Sequence, residues 1–258
     1  MTGHVAALYR HPIKGFTPER LNQAMLSVGQ PFPCDRMWAV ENGPSGFDPA
    51  APAFIPKQKF AVLMAIAHVA KARTAYDEAT GILRATAQGQ PDFEGSMADA
   101  PGRAAFAAWL TALLGDEVRG ELKVIQAPGH RFIDHPLGHV SIINLASLRD
   151  LEQKIGRPVD PLRFRANLYV EGWAPWAEMD WVGRELMLGF ARAKVFKPIV
   201  RCAAIHVDPE TAERDMDLVK ALFDNYGHMF CGIYMHVTDA GQITVGDACT
   251  APQMEPVR

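Results

Sequence analysis

Short apolar runs, broken every few residues by proline, glycine or aspartate, set the pattern of this chain, and few carry a helical repeat. Residues 4–11 and 21–28 read as two strands, with Lys14-Gly15-Phe16-Thr17-Pro18 between them. Pro12 and Gly15 put Lys14 on a turn rather than in the sheet. Residues 36–40 extend the β pattern, and Trp38 is expected in the core. Residues 43–56 hold four prolines and predict an irregular loop ending in Lys57-Gln58-Lys59. Such a basic cluster is either a solvated surface or an anion contact. Residues 60–69 fit a buried strand and a helix equally, and residues 72–87 predict a hairpin around 77–81.

Residues 91–101 are polar and acidic and predict a junction between two domains, 1–98 and 99–258. Pro101 opens a helix with Phe106, Trp109 and Leu113 on one stripe, ended by Gly115. Residues 118–127 and 140–144 read as strands. Between them lie His130, His135 and His139, close enough for zinc, but Pro136 and Gly138 interrupt any face that would align them. No metal is expected there. A helix over 145–155 precedes strands at 164–170, 184–190 and 193–200. A third helix covers 215–226, and residues 232–245 predict a hairpin turning at 239–241. Many short strands with turn signals suit barrels. The expected fold is predominantly β (α+β), a β-barrel-like N-terminal domain followed by a β-rich second domain with a few helices.

Composition narrows the function. The chain has 258 residues, 48% of them hydrophobic, as in a globular protein, and a formal net charge of −3 argues against nucleic acid as a partner. The longest apolar stretch, residues 60–67, is core-sized, and no leader sequence is evident, so a cytoplasmic protein without a membrane anchor is expected. Cys34, Cys202, Cys231 and Cys249 are scattered without a C-x-x-C pair, which suits free thiols in a reducing compartment and offers no iron–sulfur spacing. Neither a phosphate loop nor a dinucleotide fingerprint occurs, and no flavin or haem site is evident. A G-x-S-x-G serine-hydrolase elbow is also missing.

The chemistry concentrates in residues 195–211, where an apolar strand delivers Arg201 and Cys202 just before the turn-forming Asp208-Pro209. A thiol beside a guanidinium ionises more readily and makes a soft metal ligand, although buried cysteines are commonly inert. If residues 164–170 are a strand, Arg163, Arg165 and Asn167 share one face, as they also would on a half-exposed strand without a ligand.

Arg201-Cys202 followed by Val207-Asp208-Pro209-Glu210-Thr211 resembles the signature of the MOSC family, the C-terminal domain of molybdenum cofactor sulfurases. Residues 160–167, Cys231-Gly232-Ile233-Tyr234 and residues 241–247 extend the likeness. Upstream, His11-Pro12-Ile13-Lys14-Gly15 and Asp35-Arg36-Met37-Trp38 resemble the β-barrel domain that commonly precedes MOSC. The resemblance implies a molybdenum–pterin cofactor held by Lys14, Gly15, Arg36, Arg163, Arg165, Asn167 and Arg201, with Cys202 as thiolate ligand to the metal. Arginine forks suit such a flat, anionic, acceptor-rich molecule. It further implies reduction of N-hydroxylated compounds, or N- or S-oxides, with electrons from a separate ferredoxin- or flavin-type reductase. The alternatives are a carrier of cofactor or sulfur on Cys202 and a scaffold without cofactor. The chain has no room for the pyridoxal-phosphate domain fused to MOSC in sulfurases. Relatives commonly carry serine where Gly15 stands, so one cofactor hydrogen bond is expected to be missing or supplied by Gly15's backbone.

Overall fold

A computed structural model describes residues 2–135, 137 and 140–252. The first strand, β1 (Thr2–Arg10), is followed by the short β2 (Glu19–Leu21), β3 (Gln23–Leu26) and β4 (Ala39–Asn42). Next come the meander β5 (Arg73–Asp77), β6 (Ile82–Thr86) and β7 (Phe93–Ser96), helix α1 (Ala100–Leu114) and β8 (Leu122–Ile125). The C-terminal half runs β9 (Val140–Asn144), α2 (Leu145–Ile155), β10 (Leu168–Glu171), β11 (Glu185–Leu188), β12 (Ala191–Val200), α3 (Leu218–Tyr226), β13 (Phe230–Asp239), β14 (Gly241–Thr244) and β15 (Ala248–Thr250). The described residues are mostly β, with three α-helices.

Seven strands close into a barrel in the order β10, β9, β13, β12, β11, β15, β1, with β1 returning to β10 and β2 hanging from its edge. Strand alternation explains why it closes around apolar side chains. Val140, Ile142, Leu168, Val170, Ile233 and Met235 point inward, whereas Ile143, Tyr169 and Cys231 point outward to meet α2 and α3. β9 is buried on both faces, with Val140, Ile142 and Ile143 apolar and the polar Ser141 and Asn144 hydrogen-bonded through their side chains. It pairs in parallel with β10 across α2, which Asn144 caps by accepting from Ala146 N and Gly156 ends in the left-handed region.

The second core gathers Ile13, Phe16, Trp38, Val40 and Leu83 under Phe106 and Leu110 of α1. Asp99 caps that helix by accepting from Gly102 N at 2.7 Å. β8 pairs with β4, so α1 and β8 pack with residues 13–97, and the polar stretch 91–101 falls inside that unit.

Three expectations differ from the structure. Residues 60–69 are neither strand nor long helix: Phe60 makes one bridge to Glu41, and a 3-10 turn covers Ala67–Lys71. Residues 232–245 form no hairpin, because β14 leaves β13 and pairs with β3. Gly241 permits that departure by lying against the Phe190 backbone, where a Cβ would come within 2.3 Å of the carbonyl oxygen. The strand expected over 164–170 begins only at Leu168. Asp160 accepts from Leu162 N, Pro161 starts a 3-10 turn (Pro161–Phe164), and Arg165 takes φ +53°. Arg163, Arg165 and Asn167 therefore do not share a strand face. In the histidine loop, His130 packs on Phe47 and Phe132, His135 on Phe196, and His139 lies outside the described residues.

Candidate cofactor-binding cleft

All eight site residues expected from sequence line one cleft of about 830 Å³, partly open to solvent, between the barrel and the N-terminal half. The strand-face argument for three of them fails, yet the 3-10 turn and left-handed Arg165 bring the same three to one wall.

Lys14 sits on the turn after β1, tied by its N–H to Trp38 O at 2.8 Å. Its buried ammonium donates to Phe132 O at 2.8 Å and pairs with Asp134. Burial lowers the Lys14 pKa, while Asp134 opposes that shift. Gly15 has φ +92°, and a Cβ there would meet Val62 Cα and Cγ1 at 3.1 Å. Glycine thus suits the close approach of this turn to the Val62 segment.

Arg36 and Arg165 form the back wall. Arg36 pairs with Asp35, and its Nη2 donates to Arg165 O at 3.0 Å. Asp35, itself buried, accepts from His11 N at 2.6 Å. Burial, with Arg36 beside it, pulls the Arg165 pKa down to about 10. The same two arginines sit near fully buried His11, whose pKa burial lowers to about 3. Neither His11 ring nitrogen forms a hydrogen bond, although Nδ1 is 3.4 Å from Asp35 Oδ1.

Arg201 follows β12 with its guanidinium 5.2 Å from the centroid of the Phe164 ring. Nε donates to Cys231 O and Nη1 to Phe164 O, each at 2.8 Å. Its Nη2, like Nη2 of Arg165, is buried without a hydrogen-bond partner. Two unpaired guanidinium nitrogens on one cleft are costly unless an acceptor fills it. Gly232 lets Arg201 lie close, since a Cβ there would be 3.2 Å from that Nη2 and 2.3 Å from Ile142 O.

Two expected residues are largely occupied. Arg163 contacts Asp208 at 2.6 Å and Asp215 at 2.8 Å, and donates to His206 O at 3.0 Å, so its charge is already neutralised. Asp208 is turn chemistry as well, its Oδ1 accepting from Glu210 N and Thr211 N. Asn167 Oδ1 accepts from Ser141 N and Oγ, and Nδ2 donates to Tyr9 O at 3.2 Å, leaving one amide hydrogen for a ligand.

Cys202 stands half-buried at the start of a 3-10 turn (Ala203–His206), and Lys57 Nζ lies 3.2 Å from its sulfur. Lys57, Asp134 and Tyr234 complete the site; sequence reasoning assigned none of them to it. The Lys57-Gln58-Lys59 cluster carried a signal for the first and the Cys231-Gly232-Ile233-Tyr234 motif for the last, whereas nothing local marked Asp134. Burial alone would raise the Asp134 pKa, but Lys14 and Lys57 hold it well below the usual carboxylate range. Burial and Asp134 push the Tyr234 hydroxyl up to about 12. Five cations, Lys14, Arg36, Lys57, Arg165 and Arg201, thus face two carboxylates, Asp35 and Asp134. The excess suits an anion with several acceptors, and the thiol at its edge suits a soft metal.

Comparison with known proteins fits this chemistry. The MOSC N-terminal beta barrel domain matches residues 2–119 and the MOSC domain residues 130–250. The molybdenum cofactor sulfurase of Anopheles gambiae is 33% identical over 36% of this chain and 14% of its own length. Mitochondrial amidoxime-reducing component 1 of Mus musculus is 30% identical over 41% of this chain and 34% of its own. The chain therefore spans at most about a third of either relative. Among solved structures, the YUAD protein of Bacillus subtilis aligns over 96% of this chain and 94% of its own, at 14% identity and TM-score 0.49. With two family matches spanning nearly its whole length, the chain belongs to the MOSC family, an MOSC domain preceded by its N-terminal beta barrel domain.

Proposed function

We propose that this protein binds a molybdenum–pterin cofactor in the cleft, with Cys202 as metal ligand, and reduces N-hydroxylated or N- or S-oxide small molecules. The observation that carries the reading is the pair of buried, unpartnered nitrogens, Arg165 Nη2 and Arg201 Nη2, on the cleft that exposes Cys202. Arg36 and Lys14 add charge from the N-terminal half, Gly15 approaches with bare backbone, and the remaining Asn167 hydrogen is free to donate. Arg163 holds the 3-10 turn that presents Arg165, so its contribution is to orient rather than to bind. When bound, the cofactor supplies a two-electron redox centre. The chain's own work is to neutralise the anion, orient it between the two halves, and offer one soft sulfur.

Reducing R–NHOH to R–NH2 and water consumes two electrons and two protons. The electrons are expected from a separate ferredoxin- or flavin-type reductase, because the four cysteines are free and scattered and no dinucleotide fingerprint occurs. Free thiols suit a reducing cytoplasm. Among the described residues, no helix is long and apolar enough to cross a membrane. A second reading, a cofactor or sulfur carrier using Cys202, draws support from the molybdenum cofactor sulfurases among the relatives.

The test is metal analysis and oxidative release of a fluorescent pterin from protein made in a molybdate-replete host. Benzamidoxime turnover with a low-potential dye, a separate reductase or NAD(P)H alone then follows. Metal, pterin and carrier-dependent turnover are expected, and Cys202→Ser should abolish turnover while the fold persists. Metal and pterin without turnover would favour the carrier, and neither would overturn both readings.

A further inference from the structure

The chain beyond Cys202 doubles back in a short loop whose two ends meet. Val207 bridges Arg214, Asp208 N donates to Glu213 O at 2.7 Å, and Ala212 takes a left-handed φ of +62° between them. From the N-terminal half, Arg73 grips the tip of this loop, donating to Pro209 O at 2.7 Å and to Glu210 O at 3.0 Å. At its base, Arg214 reaches both walls of the cleft at once. Nη1 donates at 2.8 Å to the carbonyl of Ala203, the residue after Cys202, while Nη2 donates to Leu63 O at 2.6 Å and Met64 O at 3.0 Å. Leu63 and Met64 line the cleft from one side, Cys202 and Ala204 from the other.

We propose that Arg214 is a positioning residue: its guanidinium spaces the Cys202 segment from the Leu63–Met64 wall and so fixes where the sulfur stands in the cleft. That this sulfur serves a metal rests on the proposed function; the three contacts of Arg214 do not.

A guanidinium is a rigid planar fork, whereas an ammonium is a single point of charge. Here the fork parts, one terminal nitrogen to each wall. Among the described residues no main-chain N–H meets Leu63 O or Met64 O, so Arg214 supplies the hydrogen bonds that these turn carbonyls otherwise lack. Its side chain is exposed and outside the residues that line the cleft, so it acts on the sulfur only through the backbone it joins. Removing an exposed side chain also leaves no core cavity, which separates its spacing role from folding. Bonds from protein to metal hold within about 0.2 Å. A sulfur whose segment drifts against the opposite wall cannot meet that limit in every molecule.

The test compares Arg214→Ala with Arg73→Ala, which removes the other exposed arginine joining this loop to the N-terminal half. Hydrogen exchange of cofactor-free full-length protein is read at residues 62–66 and 203–207, where Ile66 N is bonded to Val62 O and Ile205 N to Cys202 O. Arg214→Ala should speed exchange in both segments about tenfold, with α1 and β9 at the wild-type rate, and Arg73→Ala should leave both segments unchanged. Arg214→Lys keeps the charge but not the fork, and should behave as Arg214→Ala does. In protein made in a molybdate-replete host, X-ray absorption should give one set of molybdenum–sulfur distances for wild type and Arg73→Ala, and a broadened set for Arg214→Ala. Wild-type exchange in Arg214→Ala, faster exchange throughout the chain, full rescue by Arg214→Lys, or equal effects of Arg214→Ala and Arg73→Ala would overturn the inference. So would faster local exchange with unchanged sulfur distances. Protein that never takes up molybdenum would sink the proposed function, and the exchange rates alone would then decide whether Arg214 spaces the two walls.

Discussion

Arg36 Nη2 donates to the main-chain oxygen of Arg165 at 3.0 Å, which sets two guanidiniums from opposite halves of the protein on one buried wall. Only Arg36 has a carboxylate of its own, Asp35. Arg165 is left as a buried cation short of a counter-ion, with one nitrogen unpaired. An unpaired buried guanidinium nitrogen of this kind costs stability unless an acceptor meets it.

Arg165→Ala should accordingly separate binding from stability. Losing a charge-assisted hydrogen bond of about 1.5–3 kcal/mol weakens cofactor binding roughly 10- to 150-fold. The cofactor-free variant should be at least as stable as wild type, because a repelled, unpaired charge has gone. Pterin fluorescence titration and urea unfolding on the same preparations check both halves of the expectation.

Arg163→Met should do the opposite. Its side chain is buried between Asp208 and Asp215, and removing one partner of a buried ionic cluster typically costs about 3–5 kcal/mol. Urea unfolding should show this loss without cofactor. A small loss of stability with a large loss of cofactor affinity would return Arg163 to the group of direct ligand contacts.

Acid should weaken the wild-type fold partly through His11. Its folded-state pKa of about 3 lies below the ordinary value of 6.5, so the unfolded chain binds the extra proton between those limits. This contribution is intact above 6.5 and is lost as pH falls toward 3, with a slope of at most about 1.4 kcal/mol per pH unit. His11→Phe keeps a ring in a site where neither nitrogen is hydrogen-bonded. Denaturation midpoints from pH 7 down to pH 4 should fall more steeply in wild type than in the variant.

Gly15→Ser should destabilise the protein. A positive φ of 92° and Val62 atoms at 3.1 Å from the new Cβ leave little room. A side chain in such a conformation costs about 1–3 kcal/mol, which a lower denaturation midpoint of the cofactor-free protein would reveal. An unchanged midpoint would mean that the Val62 segment yields.

The candidate site residues came from the family resemblance; local chemistry alone marked only Arg201-Cys202 after an apolar run and Lys14 and Gly15 on a punctuated turn, and all four line the cleft. Arg163, Arg165 and Asn167 also arrive there, but not as alternate residues of a strand. Asp160 and Pro161 start a tight turn, and side-chain capping outweighed the β-propensity of the following residues. Strand existence was legible for β9, where Val140, Ile142 and Ile143 are β-branched, and for β12, whose apolar positions alternate with charged ones. Partner choice was not, because an apolar run says nothing about which distant strand it meets; β14 joins β3, more than 200 residues upstream. Asp134 carried no signal for the same reason, and Tyr234, although it ends the Cys231-Gly232-Ile233-Tyr234 motif, was given no role, since only the fold brings them beside Lys14 and Lys57.

The strand that closes the barrel has a consequence for how the protein is made. Thr2 pairs with Thr250 and His4 with Ala248, while the same β1 pairs with β10 on its other side. Contacts so far apart in sequence form late, after a large loop-closure cost. Along one edge, Thr2–His4 of β1 pairs only with the distant Ala248–Thr250, whereas β2 and β10 lie nearer in sequence and pair with the rest of β1. Closing the barrel along this β1–β15 seam is thus a late step of its assembly.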